Sequence, residues 1–181
     1  IKKDIRPDFI LLQDAKQSNY LNNPDYAEFQ HIQAVSDFVI LSRWPVIGIT
    51  PLYSTGTGFA PPNQSPWGMR CVVIAAGQRC VIYNLHLPTP RGALESYMRG
   101  SFMWGVLGLI PGTPWQEKRE QYESFWKPYL DFSQLLEQRL NAESGPVLVV
   151  GDFNTPPFGP IHSQLAGHLQ DAHIAAGTGF G

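Results

Sequence analysis

The sequence predicts an α/β or α+β fold in which sheets are covered by helices, and three observations lead there. Short apolar runs of strand length recur along the chain, at 9–12, 37–43 and 147–150. A stretch with strand-like segments on both sides of Ala75-Ala76-Gly77-Gln78 reads as a hairpin. A single long segment with helical spacing lies between that hairpin and the last apolar run. With 181 residues, 43% hydrophobic and 15% charged, the chain has a globular balance and fits one domain, 1–181. The 17 glycines and 16 prolines argue for many loops and against a helical bundle.

Taken in order, Phe9-Ile10-Leu11-Leu12 follows Arg6-Pro7-Asp8 and reads as a strand buried on both faces, ending at Gln13-Asp14. Residues 15–35 are polar and read as irregular. Residues 37–43 form a second strand, stopped by Trp44-Pro45, and 47–52 a third. A Gly/Pro/Ser-rich loop over 54–68 leads into the hairpin, with arms at 70–75 and 79–87 and a turn near Gly77-Gln78. That register sets Cys80 opposite about Ala75 and Cys71 opposite about Asn84, too far apart along the ladder for a disulfide; both read as small buried apolar residues.

The apolar connection 102–110 reads as an insertion packed on the following helix; exposed, it would serve a lipid surface or a partner. Thr113-Pro114-Trp115-Gln116 is a helix start, with Thr as cap, Pro at the first helical position and Gln three residues past the cap. Tyr122, Phe125, Trp126, Tyr129, Phe132, Leu136 and Leu140 follow at helical spacing, and Pro128 is expected to kink or split the helix. Val147-Leu148-Val149-Val150 reads as the most buried strand. A short helical piece near 161–166 and a strand near 169–172 complete the chain.

Chemistry-bearing residues gather at strand ends. In Gly151-Asp152-Phe153-Asn154, a carboxylate and a carboxamide two residues apart on an extended segment face one side. Asp152 can orient or deprotonate a water and Asn154 can donate to a phosphoryl oxygen; the plainer alternative is that both cap a turn. Asn84 and His86 are likewise two apart and face one side: Asn84 is a candidate substrate contact, and a His there can contact a phosphate or protonate a leaving oxygen, or serve structure alone. Asp14, ending an apolar strand, suits a hard divalent cation and equally suits a turn. Arg91, Arg99 and Arg119 are candidate substrate-phosphate contacts, Arg119 foremost; Ser42-Arg43 and Asp171 read as structural. Net charge is −2, pI is about 6.2, and lysines and arginines are scattered apart from Lys2, Lys3 and Arg6, which leans away from tight binding of duplex DNA.

The order Leu-Leu-Gln-acid (11–14), Leu-Ser-Arg-Trp-Pro-Val (41–46), Asn-Leu-His-Leu (84–87) and Gly-Asp-Phe-Asn-Thr-Pro (151–156) resembles the endonuclease/exonuclease/phosphatase family. The resemblance implies a four-layer α-β-β-α sandwich of the DNase I-like type, two packed mixed sheets flanked by helices. It implies hydrolysis of a phosphodiester or phosphomonoester by an activated water with Mg²⁺ (or Mn²⁺), the ester belonging to a nucleic acid, a phospholipid head group or a sugar phosphate. Asp14 lies where the family carries its metal-binding Glu, one methylene longer. His86 matches the phosphate-contacting His, Asp152 the water-activating Asp and Asn154 the Asn that holds the phosphoryl oxygen. The family's early Asn and its late Asp-His pair have no match, so a domain incomplete at both ends, lacking the first and the C-terminal strands, is expected. A binding or scaffold domain that keeps the fold without catalysis is the alternative.

Overall fold

A computed structural model of the chain describes residues 6–55, 64–90, 106–155, 159–167 and 169–177, apart from the side chains of Tyr122 and Ala166. Lys2, Lys3, residues 56–63 of the Gly/Pro/Ser-rich loop, Arg91, Arg99, residues 102–105 and Pro156, all singled out above, lie outside the described residues. The chain divides into two compact units, Ile1–Leu87 with Ala142–Phe153, and Pro88–Asn141 with Asn154–Gly181.

The first unit holds two sheets. β1 (Phe9–Leu12), β2 (His31–Val35) and β3 (Phe38–Ser42) form an antiparallel sheet in the order β1-β3-β2. β4 (Val46–Leu52), β5 (Gly68–Ala75), β6 (Gln78–His86) and β7 (Val147–Asp152) form the other, β4-β5-β6-β7, in which only β6 and β7 run parallel. The α+β class with two sheets and helices is therefore as expected; one sheet is wholly antiparallel and the other mixed.

The most buried strand is β3, at the centre of its sheet, with all five residues buried. β1 and β7 are edges, half-buried where burial on both faces was expected, and Leu148 is exposed. The segment expected to be irregular contains β2, whose half-buried residues follow no simple alternation. It also holds two short 3-10 turns, Gln17–Asn19 and Pro24–Tyr26, the second capped by the Asn23 side chain.

Period-2 alternation builds the core between the sheets. Phe38 and Ile40 of β3 meet Met69, Cys71, Val73 and Ile82, with Phe9, Leu11 and Val150 packed alongside. The opposite face of β3, Val39 and Leu41, is covered by Ala15 and Phe29 from the loop that carries the 3-10 turns. Past β3, the Ser42 hydroxyl donates to the Trp44 carbonyl (2.6 Å) and accepts from the Trp44 N–H (2.9 Å), which turns the chain before Pro45.

The hairpin turns on Ala76-Gly77, both at positive φ (49° and 81°), a two-residue turn that matches strand twist. Its register differs by two residues from the expected one: Ala75 faces Gln78, Cys80 faces Val73 and Cys71 faces Ile82. The cysteines are free, as expected, but Cys80 is only half-buried; burial pushes the Cys71 thiol up to about 12, an inert side chain.

In the second unit, α1 (Pro114–Ala142) runs 29 residues without a break, so Pro128 does not split it. Its start differs from a reciprocal capping box. The Thr113 hydroxyl donates to the Ile110 carbonyl, and the Gln116 side chain accepts from the Gly112 N–H. Tyr129, Phe132, Ser133, Leu136 and Leu140 form the buried stripe, while Arg119–Glu123 and Lys127–Asp131 pair along the exposed side. α2 (Pro160–Ala166) is tied to α1 through Gln164, which contacts Ser133 and Glu137. The strand expected near 169–172 is absent: Asp171 instead caps α3 (Ala172–Ala176), accepting from the His173 and Ile174 N–H groups and pairing with His162 at 2.9 Å. The burial expected for the apolar connection does not hold for its described part, since Val106, Leu109 and Ile110 are 51%, 66% and 52% exposed.

Glu143 is the electrostatic anchor of the first unit. Its carboxylate accepts from the Arg70 Nε (2.5 Å), the Tyr83 hydroxyl (2.9 Å) and the Arg79 guanidinium (3.2 Å). The Arg70 bond above all holds this carboxyl down to about 2. The folded value lies below the unfolded one of about 4.5, so the stabilisation is complete above pH 4.5 and is lost as pH falls toward 2. Chemical denaturation of Glu143→Gln is expected to show a loss of roughly 2–3 kcal/mol at pH 7 that shrinks across that window. A loss independent of pH would contradict this account.

Candidate functional site

The site forms where the inter-sheet core runs out. Phe9 and Leu11 face the core, and Gln13 continues their side just beyond β1. Ile82 faces the core, and Asn84 and His86 continue its side to the end of β6. Val150 packs on the same core, and Asp152 follows two residues later at the end of β7. Three neighbouring strand ends thus change from apolar to polar at one level.

A carboxamide network closes that level. The Asn84 Nδ2 donates to the Leu12 carbonyl (3.1 Å), tying one sheet to the other. The Gln13 Nε2 donates to the Asn84 Oδ1 (2.9 Å) and to the Leu85 carbonyl (2.6 Å). Each amide's orientation is dictated by its partners, because every group facing an NH₂ here is a carbonyl oxygen. Asn84 is 1% exposed, so its carboxamide is spent inside the protein. Gln13 fits because Gly151 has no side chain: a Cβ there would lie 2.7 Å from the Gln13 Nε2 and 1.9 Å from the Leu85 oxygen. Gly151 also sits at φ 133°, a conformation that L side chains rarely adopt.

Around this network lie the titratable groups. Asp14 takes a left-handed conformation (φ 49°), tolerated by Asp, which turns its side chain out of strict strand alternation. Its Oδ1 lies 3.7 Å from the His86 Nδ1, with the Asp14 side chain 80% and the His86 side chain 30% exposed. Asp152 is the register partner of His86 on the adjacent parallel strand, one strand spacing away, about 4.8 Å. The Asp152 carbonyl accepts from the Leu87 N–H at 3.0 Å, which locks the two strand ends together. The structure therefore brings together Asp14, His86 and Asp152. Asn154 lies past the end of β7 at φ 47°, so the extended geometry expected to align it with Asp152 stops before it. Asn84 holds the strand ends, and Arg119 pairs with Glu123 at 2.6 Å along α1.

Gln13 was not among the residues expected to matter. Its signal was present in the sequence: it continues the alternation of Phe9 and Leu11, and a polar residue there must meet whatever faces the core's end. The second unit also contains a mostly apolar cavity of about 670 Å³ between Trp126 and Leu130 of α1 and Thr155, Pro160 and Ile161.

The donor set can be judged against a divalent cation. Among the described residues, no three His, Cys, Asp or Glu side chains converge into a cage. Mg²⁺ is commonly held through one or two carboxylates and keeps several waters, and the open Asp14 carboxylate suits such a hydrated ion.

The closeness of Gly151 to Leu85 has a direct consequence. Gly151→Ala is expected to lower stability by about 3 kcal/mol or more in calorimetry or denaturant unfolding, since φ and the contact both oppose a methyl group. A wild-type melting curve for this variant would show the packing at that point to be looser than described.

No curated protein matches the chain. The Endonuclease/Exonuclease/phosphatase family matches residues 3–180, and its members act on phosphate esters, generally with divalent metals. That match, together with two sheets whose strand ends carry Asp14, His86 and Asp152, shows that the chain belongs to the Endonuclease/Exonuclease/phosphatase family.

Proposed function

We propose that the protein hydrolyses a phosphodiester or phosphomonoester with an activated water and a divalent cation, Mg²⁺ (or Mn²⁺), held at Asp14. The observation that carries this reading is the meeting of Asp14 with His86 at 3.7 Å, with Asp152 one strand away. A bound cation would neutralise charge on the phosphoryl group. Asp152 accepts a proton from the attacking water or fixes its orientation. His86, half-exposed at its strand end, contacts the phosphate or protonates the leaving oxygen. Asn154 donates to a phosphoryl oxygen. Asn84 serves by holding the strand ends and not by touching substrate, because its carboxamide is buried and bonded on both sides. Arg119 has no part in this reading.

Among a nucleic acid, a phospholipid head group and a sugar phosphate, the phospholipid is favoured. Val106, Leu109 and Ile110 present apolar side chains to solvent, and with 13 lysines and arginines and a net charge of −2 the sequence leans away from a grip on duplex DNA. No helix among the described residues is long and apolar enough to cross a membrane. Contact with a lipid surface through 106–110 would be peripheral.

Five measurements test the reading on the full-length protein. Turnover of bis-p-nitrophenyl phosphate and p-nitrophenyl phosphate separates diesterase from monoesterase, and His86→Ala and Asp152→Asn are each expected to lower it about 10²- to 10⁴-fold with the fold retained. Asp14→Asn is expected to raise the Mg²⁺ concentration needed for half-maximal rate. Phospholipid vesicles are expected to be cut faster than a duplex oligonucleotide. Undiminished turnover in EDTA contradicts the metal-dependent chemistry. The absence of both turnover and a Mg²⁺-induced rise in melting temperature favours a binding domain.

A further inference from the structure

We propose that Gln13 is a positioning residue of the site: its carboxamide, lying over Gly151 of β7, pins the end of β1 to the end of β6, and so holds the Asp14 carboxylate beside His86. The role assigned to Asp14 as a cation ligand rests on the function proposed above; the positioning itself does not.

The backbone that follows Asp14 is fixed by Ala15, which is buried with its N–H bonded to the Asp37 carbonyl at 3.0 Å, but the Asp14 side chain has little else to hold it. Its side chain is 80% exposed, it lies beyond the last β1 residue, and its backbone is left-handed. An exposed carboxylate on a turn samples many rotamers. The residue immediately before it, by contrast, is clamped. The Gln13 amide spends both of its N–H groups on acceptors of β6, one the Asn84 side chain and one the Leu85 backbone. Gly151 leaves room for that amide, since a Cβ there would lie 2.7 Å from the Nε2. β6 and β7 are in turn locked by the bond from the Leu87 N–H to the Asp152 carbonyl. Gln13 thus bonds the end of β6 from the strand end bearing Asp14, and β6 is itself locked to β7.

The chemistry explains why the residue is Gln. The two atoms it meets are both acceptors, so the side chain must offer two donors on one nitrogen at this length. Glu offers a carboxylate oxygen to two carbonyl oxygens and is repelled. Asn falls one methylene short. Met matches the length and volume and removes both bonds, leaving the Asn84 Oδ1 and the Leu85 carbonyl without this donor.

The test compares wild type with Gln13→Met, and with Gln13→Asn should Gln13→Met fail to fold, in the full-length protein. In EDTA, below the melting transition of each variant, nuclear Overhauser contacts between the Asp14 β-protons and the His86 ring are expected in wild type and lost in the variant. Mn²⁺ binding, read from the free-ion paramagnetic resonance signal, is expected to weaken about 10- to 100-fold, as for other residues that support a metal ligand. A purely structural Gln13 would lower the melting temperature and leave both readouts unchanged in the folded variant. Persistence of the Asp14–His86 contacts without the Gln13 amide, or their absence in wild type, overturns the positioning role. Lack of Mn²⁺ binding by wild type overturns the cation reading instead, and the Overhauser contacts still decide for or against Gln13.

Discussion

The site depends on one constraint: the Gln13 carboxamide must reach two acceptors on β6 while passing over a β7 residue that has no side chain. Core packing alone brings two sheets face to face, but apolar contact is non-directional and leaves strand ends free to slide. Hydrogen bonds between buried carboxamides and backbone carbonyls have a fixed length and angle. Placed where the core ends, they tie the end of β1 in one sheet to the end of β6 in the other. Gly151 is the counterpart of that network, since any larger residue would meet the Leu85 carbonyl first.

The polar groups divide into two kinds by burial. Asn84 and Ser42 are enclosed and have their hydrogen-bonding capacity met within the protein, as buried polar groups must. Asp14, His86 and Asp152 lie outward of them, with His86 half-exposed and the two carboxylates open to solvent. This order suits the function proposed above: rigid supports within, and groups without that are open to an ion, a water and a phosphate. The most strongly perturbed carboxylate, Glu143, belongs to a different system altogether. Its partners Arg70, Tyr83 and Arg79 lie on the β5–β6 hairpin, so its low value reports structural anchoring and not chemistry.

Several elements were legible in the residues because local rules dominate there. Phe9–Leu12, Phe38–Ser42 and the hairpin carry apolar alternation or apolar runs with clear punctuation, and α1 carries a helical stripe with a proline-tolerant start. Where the reading failed, longer-range effects decided. β2 has mixed residues and becomes a strand by pairing with β3. The strand near 169–172 gave way to a cap because Asp171 finds two backbone N–H groups and His162 at hand. The hairpin register slipped by two residues because Ala76 adopts positive φ beside Gly77, a choice that propensity did not reveal. Pro128 lies within an unbroken helix, and the buried stripe of α1 continues past it on Tyr129, Phe132 and Leu136.

By itself, the sequence determined the α+β class and the family, and it marked the strand ends that carry Asp14, His86 and Asp152 as candidates, because period-2 alternation and short motifs are properties of adjacent residues. Tertiary structure alone decided that Asn84 is buried with its carboxamide bonded inside, that Gln13 bonds the end of β6, and that Asp14 comes within 3.7 Å of His86. Those facts depend on which strands become neighbours and on the φ of single residues at turns. Pairing across 71 or 72 positions of chain is set by the packing of the whole core, and no local pattern encodes it.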